Sequence, residues 1–294
     1  MRRSGLSVAI GLAVMALAMA GALPGTTRAE VRLPHVFSSH MVLQQDQPVL
    51  IWGWAQPGET VRVALANLHQ QVTANDRGEW KAKLPALKAG GPHVLLVNGS
   101  NSVRCEDVMI GEVWLCSGQS NMEMGVGVSK DAKAEIAAAH HPGIRLLKVG
   151  KSWKPEPQND IEGTWKVCSP QTIAEGGWGG FSACAYYFGR ELHQKLGVTI
   201  GLIDSSWGGT RIESWTPPEG FAAVPALQTQ YEQVQLGDPR TQLHQQRLEQ
   251  FLQVVGRWMA SARQALTDCQ LVPAMPAYPE ELLPPRDLQH PTAL

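Results

Sequence analysis

After residue 30 the apolar positions come in short runs of strand length. Met41-Val42-Leu43, Val49-Leu50-Ile51-Trp52, Thr60 to Leu65 and Val94-Leu95-Leu96-Val97 are such runs. Turn chemistry separates them: Gln56-Pro57-Gly58, Asn75-Asp76-Arg77-Gly78 and Gly90-Gly91-Pro92. Short strands with regular Gly/Pro turns predict an antiparallel β-sandwich over 30–105, a module with no chemistry of its own. From residue 106 the pattern changes. Val108 to Leu115 reads as a buried strand, 129–140 as an Ala/Lys/Glu-rich helix, and Ile144 to Val149 as a strand. Ser182 to Leu196 reads as a helix and Val198 to Ile203 as a strand. That alternation predicts an α/β domain with a parallel sheet over 106–294. Residues 219–267 carry Leu243, Leu248, Phe251, Leu252, Val255 and Trp258 at helical spacing. They are expected to form a helical insertion whose apolar stripe serves packing.

The N-terminus has the pattern of a targeting segment. Arg2 and Arg3 precede an apolar run from Leu6 to Leu23, and small-residue cleavage patterns occur at Ala18-Met19-Ala20 and Thr27-Arg28-Ala29. A signal peptide over 1–29 is expected, and with it a periplasmic or secreted protein. An uncleaved anchor is the alternative, since the run approaches the ~20 residues that span a bilayer. No stable membrane insertion is expected after cleavage. The net charge of −1, without a basic block, excludes nucleic acid as an expected partner. Export permits disulfides, yet five cysteines leave at least one unpaired within the chain. Cys116 and Cys184, in apolar stretches, read as small buried hydrophobes. No Cys/His spacing points to a metal.

The candidate chemistry lies where two strands end. The strand over 108–115 runs into Cys116-Ser117-Gly118-Gln119-Ser120-Asn121. A serine there sits at the carboxyl edge of a parallel sheet, where such folds bind ligands. The glycine lets the chain turn tightly and a substrate come close. A hydroxyl is a weak nucleophile until a base takes its proton, and backbone N–H groups beside it can receive an oxyanion. A second turn, Ser205-Ser206-Trp207-Gly208-Gly209-Thr210, follows the strand-like Gly201-Leu202-Ile203-Asp204 and exposes further N–H groups at the same edge. Either loop alone is also what an ordinary βα turn looks like.

Long strings resemble the sialate O-acetylesterase family, a branch of the SGNH hydrolases. Gly111 to Met124, with Gly118-Gln119-Ser120-Asn121-Met122 at its centre, is similar to the family's nucleophile block. Phe181-Ser182-Ala183, Tyr186 to Leu192, Gly201-Leu202-Ile203 and Ser205 to Trp215 are similar to its second block. Met41 to Gln45, Trp52-Gly53-Trp54-Ala55 and Pro57-Gly58-Glu59 extend the likeness, which covers roughly 33–216. The resemblance implies a serine esterase that removes O-acetyl groups from sialic acid or a related carbohydrate without a cofactor. Ser120 would attack the acetyl carbonyl, and the N–H groups of Ser120 and Gly209 would form part of the oxyanion hole. Acetylated xylan is the alternative substrate, and a non-catalytic carbohydrate-binding chain the alternative function.

The family's third block, an Asn-bearing Gly-Glu-Ser-type string, has no counterpart after residue 216. On the resemblance the chain is expected to stop within the catalytic domain. Asp287-Leu288-Gln289-His290 fits the family's Asp-x-x-His pair literally, but in a proline-rich, unpatterned setting where coincidence is the simpler reading. Arg211 is a candidate for a sugar carboxylate and Trp215 for stacking on a sugar ring. An ion pair and aromatic packing are their blander readings. Glu123 is either a substrate contact or a carboxylate favoured by a helix N-terminus. Asp204 reads as a strand-end hydrogen-bonding residue.

Overall fold

The computed structural model describes residues 30–152 and 157–283. The expected signal segment, the Ala29 cleavage site, Asp287 and His290 lie outside them. The strands are β1 (Val42–Gln44), β2 (Val49–Trp54), β3 (Thr60–Leu65), β4 (Leu68–Thr73), β5 (Glu79–Leu84), β6 (Gly90–Asn98), β7 (Ser102–Gly118), β8 (His141–Lys148), β9 (Trp165–Cys168) and β10 (Ile200–Ser206). The helices are α1 (Ser120–Glu123), α2 (Ala132–Ala137), α3 (Pro170–Ala174), α4 (Ala183–Leu196), α5 (Pro218–Ala222), α6 (Gln228–Gly237) and α7 (Gln242–Thr267).

The architecture is mixed α/β, built on one large sheet in the order β4-β3-β6-β7-β10-β8-β9, with β1 also on β7. The pairings up to β7 and that of β8 with β9 are antiparallel. Those of β7 with β1 and β10, and of β10 with β8, are parallel. The two separate sheets expected from the change at 105/106 are thus joined. That boundary falls inside β7, whose 17 residues take part in both regions. Its first half pairs with β6 and its last seven residues with β10. No proline interrupts 102–118; the strand runs on through an irregularity near Asp107, where its pairing with β6 shifts register, and Gly111 falls where β1 gives way to β10.

A small sheet of β2 and β5 lies over the N-terminal half. Alternation explains it: Val49 and Ile51 from β2, and Trp80, Ala82 and Leu84 from β5, are buried while their neighbours face out. They join Val61, Val63, Leu65, Leu95, Val97, Val108 and Ile110 in one core. Leu147, Val149 and Trp165 reach into this core from the C-terminal half. Trp165 is 3% exposed, and its indole N–H donates to Val36 O at 2.8 Å.

A second core lies under α4, which presents Ala183, Ala185, Tyr186 and Gly189 to Ile144, Leu146, Ile200 and Leu202. Cys184 is on the other face and is exposed, unlike the buried Cys116. The expected burial of Cys184 is corrected by this helix phase. The strand expected to be buried over 108–115 is also only partly so. Trp114 and Leu115 are 41% and 55% exposed, since β7 has a neighbour on one side alone beyond Glu112 among the described residues. The 219–267 region is helical as expected, but few of its residues are fully buried. The stripe of α7 is half-covered, with Phe251 against Tyr278 and the Trp258 indole donating to Pro273 O. Among the described residues no helix is long and apolar enough to cross a membrane.

Trp165 anchors β9, from the C-terminal half, in the N-terminal core. Trp165→Ala is expected to lower unfolding stability by about 3–5 kcal/mol through the cavity it leaves. Trp165→Phe should cost less, about 1 kcal/mol for the lost indole bond plus some packing. Urea denaturation of the purified variants measures both.

Candidate active site

β7 and β10 run in register from Glu112↔Ile200 to Gly118↔Ser206, so both strands end at the same height. Gly118 turns the chain at φ +142°, where a side chain would be strained. The Trp207 N–H then donates to Gly118 O at 2.9 Å, which ties the second turn to the first. Ser120 opens the short helix α1, capped by the Gln119 side chain. Gln119 Oε1 accepts from the Ser120 hydroxyl at 3.1 Å and from its N–H at 3.3 Å. Among the described residues no imidazole hydrogen-bonds the Ser120 hydroxyl. The described histidines that do bond have structural partners: His35 meets Asp160, His40 meets Asp107, and His193 and His244 meet the carbonyls of Val198 and Leu236.

The second glycine turn lies directly against this serine. A Cβ placed on Gly208 would sit 3.2 Å from Ser120 Oγ and 2.9 Å from Glu123 Oε2. Gly209 has φ +82° with open space around it, and its N–H makes no hydrogen bond within the protein among the described residues. Ser120 and Gly209, expected to share a site, are therefore on adjoining turns. Gly208 was visible in the sequence as half of a glycine pair, yet its close packing on Ser120 was not.

Glu123 lies in the first turn of α1, as its helix-terminus reading expects, but it is buried rather than open to solvent. It is 7% exposed. One oxygen receives the Lys151 ammonium and the other accepts the Gly208 N–H. Burial pushes this carboxyl up, but the bonds from Lys151 and Gly208 together hold it below its ordinary value. Lys151 also lies 5.6 Å from the centre of the Trp207 ring. No local sequence signal marks Lys151, because its partners are distant in the chain.

Asp204, beside Cys116 in the sheet, is 1% exposed. Its Oδ1 accepts from the Ser206 hydroxyl, while Oδ2 lacks a hydrogen-bond partner among the described residues. The Lys148 ammonium is 4.0 Å away and donates to Gly180 O. Burial raises this carboxyl above its ordinary value. It also pushes the neighbouring Cys116 thiol up to about 11.

A cleft of about 610 Å³ opens beside the Ser120 turn, lined by Ser117, Gly118, Gln119, Thr210, Arg211, Ile212, Glu213 and Trp215. The two expected substrate residues share it. Arg211 is exposed and has no ion-pair partner among the described residues. Trp215 is half-buried, and its indole N–H donates to Thr210 Oγ1 at 2.9 Å, whose hydroxyl donates to Trp207 O at 2.7 Å. The ring is thereby tied to the glycine turn. Among the described residues no cluster of His, Cys, Asp or Glu could hold a metal ion.

The fold and the site together define a mixed α/β protein with a cleft beside the Ser120 turn, at the carboxyl edge of parallel strands. Residues 110–251 match the family described as carbohydrate esterase, sialic acid-specific acetylesterase. The chain is similar to sialate O-acetylesterases. It is 32% identical to that of Mus musculus over 219 residues, which are 69% of this chain and 40% of the mouse protein. It is 33% identical to that of Homo sapiens over 208 residues, 65% of this chain and 40% of the human one. A crystal structure of a novel carbohydrate acetylesterase from Xanthomonas citri is also similar. It has a TM-score of 0.60 and 39% identity, over 63% of this chain and 42% of that one. The chain thus spans about 40% of the length of the curated relatives it matches.

The raised carboxyl of Asp204 has a consequence for stability. A carboxyl that binds its proton more tightly when folded makes the folded state lose stability as pH rises from the unfolded value, about 3.9, through the raised one. Asp204→Asn keeps an acceptor for Ser206 and removes that dependence. The melting temperature of the variant relative to the parent is expected to rise between pH 4 and pH 8 (a range of about 4 units above that value). Calorimetry across the range checks it.

Proposed function

We propose that this chain carries the nucleophile half of a serine esterase acting on an acetylated carbohydrate, with the O-acetyl groups of sialic acid as the leading substrate. The observation that carries the reading is the packing of Gly208 on Ser120, within a segment that matches a carbohydrate esterase family. Ser120 Oγ adds to the acetyl carbonyl carbon, and the hydroxyl proton passes to a base. The developing oxyanion takes the N–H groups of Ser120 and Gly209. The sugar oxygen departs with a proton, and water then releases acetate from the acyl-serine. Gln119 must give up its bond to the Ser120 hydroxyl for the attack. The base that the resemblance assigns to an Asp-x-x-His pair falls, if at Asp287 and His290, outside the described residues.

The finer architecture follows the same reading. We take β7, β10 and β8 as the start of an SGNH-type parallel sheet, and the strands before it as a supporting β-sandwich module. The targeting pattern at 1–29 supports export to the periplasm or beyond, where acetylated glycans are met. Arg211 suits the carboxylate of sialic acid, and Trp215 the face of its ring.

Ser120→Ala is expected to abolish acetate release from O-acetylated sialic acid while leaving the melting temperature unchanged. Arg211→Met should raise KM for that substrate by about tenfold, the scale of one charge-assisted contact. It should leave KM for acetylated xylo-oligosaccharides unchanged. Equal effects on both substrates would remove the carboxylate role. Turnover that survives Ser120→Ala would remove the serine mechanism.

A further inference from the structure

Two loops at the sheet edge must hold a fixed separation if Ser120 and Gly209 are to act on one acetyl group. The backbone bond from Trp207 to Gly118 fixes the base of the second turn. Its tip, Gly208-Gly209, carries no side chain that could anchor it. The tip is held instead from the nucleophile's own helix. The Glu123 carboxylate, three residues after Ser120, accepts the Gly208 N–H. Lys151 grips the other carboxylate oxygen and sits against the Trp207 ring, so it touches both sides of the joint.

We propose that Glu123 is a positioning residue, a buried strut that sets the glycine turn at its working distance from Ser120. This rests on the esterase reading above. Three observations converge. Both Glu123 oxygens are engaged in a site 7% exposed. The Gly208 backbone lies close enough that a Cβ would press on Glu123 and Ser120 together. Gly208 N–H is occupied by the carboxylate, whereas Gly209 N–H is left for a substrate oxygen. One N–H of the glycine pair thus fixes the turn, and the next one is available for catalysis. Gly208 has no freedom to serve both ends.

The test uses the full chain and two readouts, amide hydrogen exchange and turnover of an acetyl ester. Glu123→Ala should speed exchange of the Gly208 amide by about tenfold or more, with β10 unaffected. It should lower kcat by about 10- to 100-fold, less than or comparable to losing an oxyanion donor outright. KM should stay nearly constant. Glu123→Gln combined with Lys151→Met keeps an acceptor for Gly208 without an unmatched cation. It should restore slow exchange, and kcat to within about fivefold, the scale of one neutral hydrogen bond. Unchanged Gly208 exchange in Glu123→Ala would overturn the proposal. So would an equal loss of kcat in both variants accompanied by a lowered melting temperature. A parent chain with no Ser120-dependent acetate release would overturn the esterase reading instead, and Gly208 exchange would still decide whether Glu123 fixes the turn.

Discussion

The parallel register of β7 with β10 is the constraint on which the site depends. Seven consecutive pairs end with Gly118 opposite Ser206. Evenly spaced hydrogen bonds make such a ladder hard to shift, and a one-residue slip would turn every side chain to the wrong face. Cys116 and Asp204 would then leave the α4 face, and the Gly208 turn would move past Ser120. The site is therefore as accurate as the sheet beneath it. β7 extends that accuracy across the molecule, because the same strand is held by β6 at its start and by β1 in its middle.

Side chains complete what the ladder begins. Gln44 donates and accepts at the open side of β7, with its Oε1 on the Val113 N–H and its Nε2 near Glu112. Near Asp107, where β7 is irregular, the buried Arg145 and His40 converge on that carboxylate. The Arg145 bond is the main reason the Asp107 carboxyl lies below its usual range, against an upward push from burial. These are polar clamps at the places where the backbone alone leaves groups without a strand partner.

Much of this was legible in the residues. Short apolar runs between turns marked β2, β3 and β6, and the strand–turn strings around Ser120 and Gly208-Gly209 pointed to the candidate site. β4 escaped because it is the outermost strand, with every second residue exposed and none fully buried. Its Leu68-His69-Gln70-Gln71-Val72-Thr73 carries too little apolar contrast for a period of two. β5 was missed too, although charge and burial alternate cleanly along Glu79-Trp80-Lys81-Ala82-Lys83-Leu84. The continuity of β7 was hidden by the change of pattern at 105/106, which looks like a boundary although the hydrogen bonding continues across it. Cys184 was misjudged because an apolar neighbourhood in sequence says nothing of helix phase. The strut from Glu123 to Gly208 spans 85 residues, and contacts at that separation leave no trace in local pattern.

The two buried carboxylates near Ser120 show how the site manages charge. Glu123 keeps its charge because an ammonium and an N–H meet both oxygens. Asp204 has one oxygen without such a partner and an ammonium no nearer than 4.0 Å. Burial is the main cause of its raised carboxyl, and the negative Glu123 adds to it. On the proposed serine mechanism, two fixed anions near Ser120 would oppose the negative charge that builds on an acetyl oxygen. Pairing one with Lys151 and drawing the other toward its neutral form both weaken that opposing field. The Glu123 contact and the raised Asp204 are in this sense a single electrostatic arrangement: the charge that meets the glycine turn also adds to the upward push on its neighbour's carboxyl.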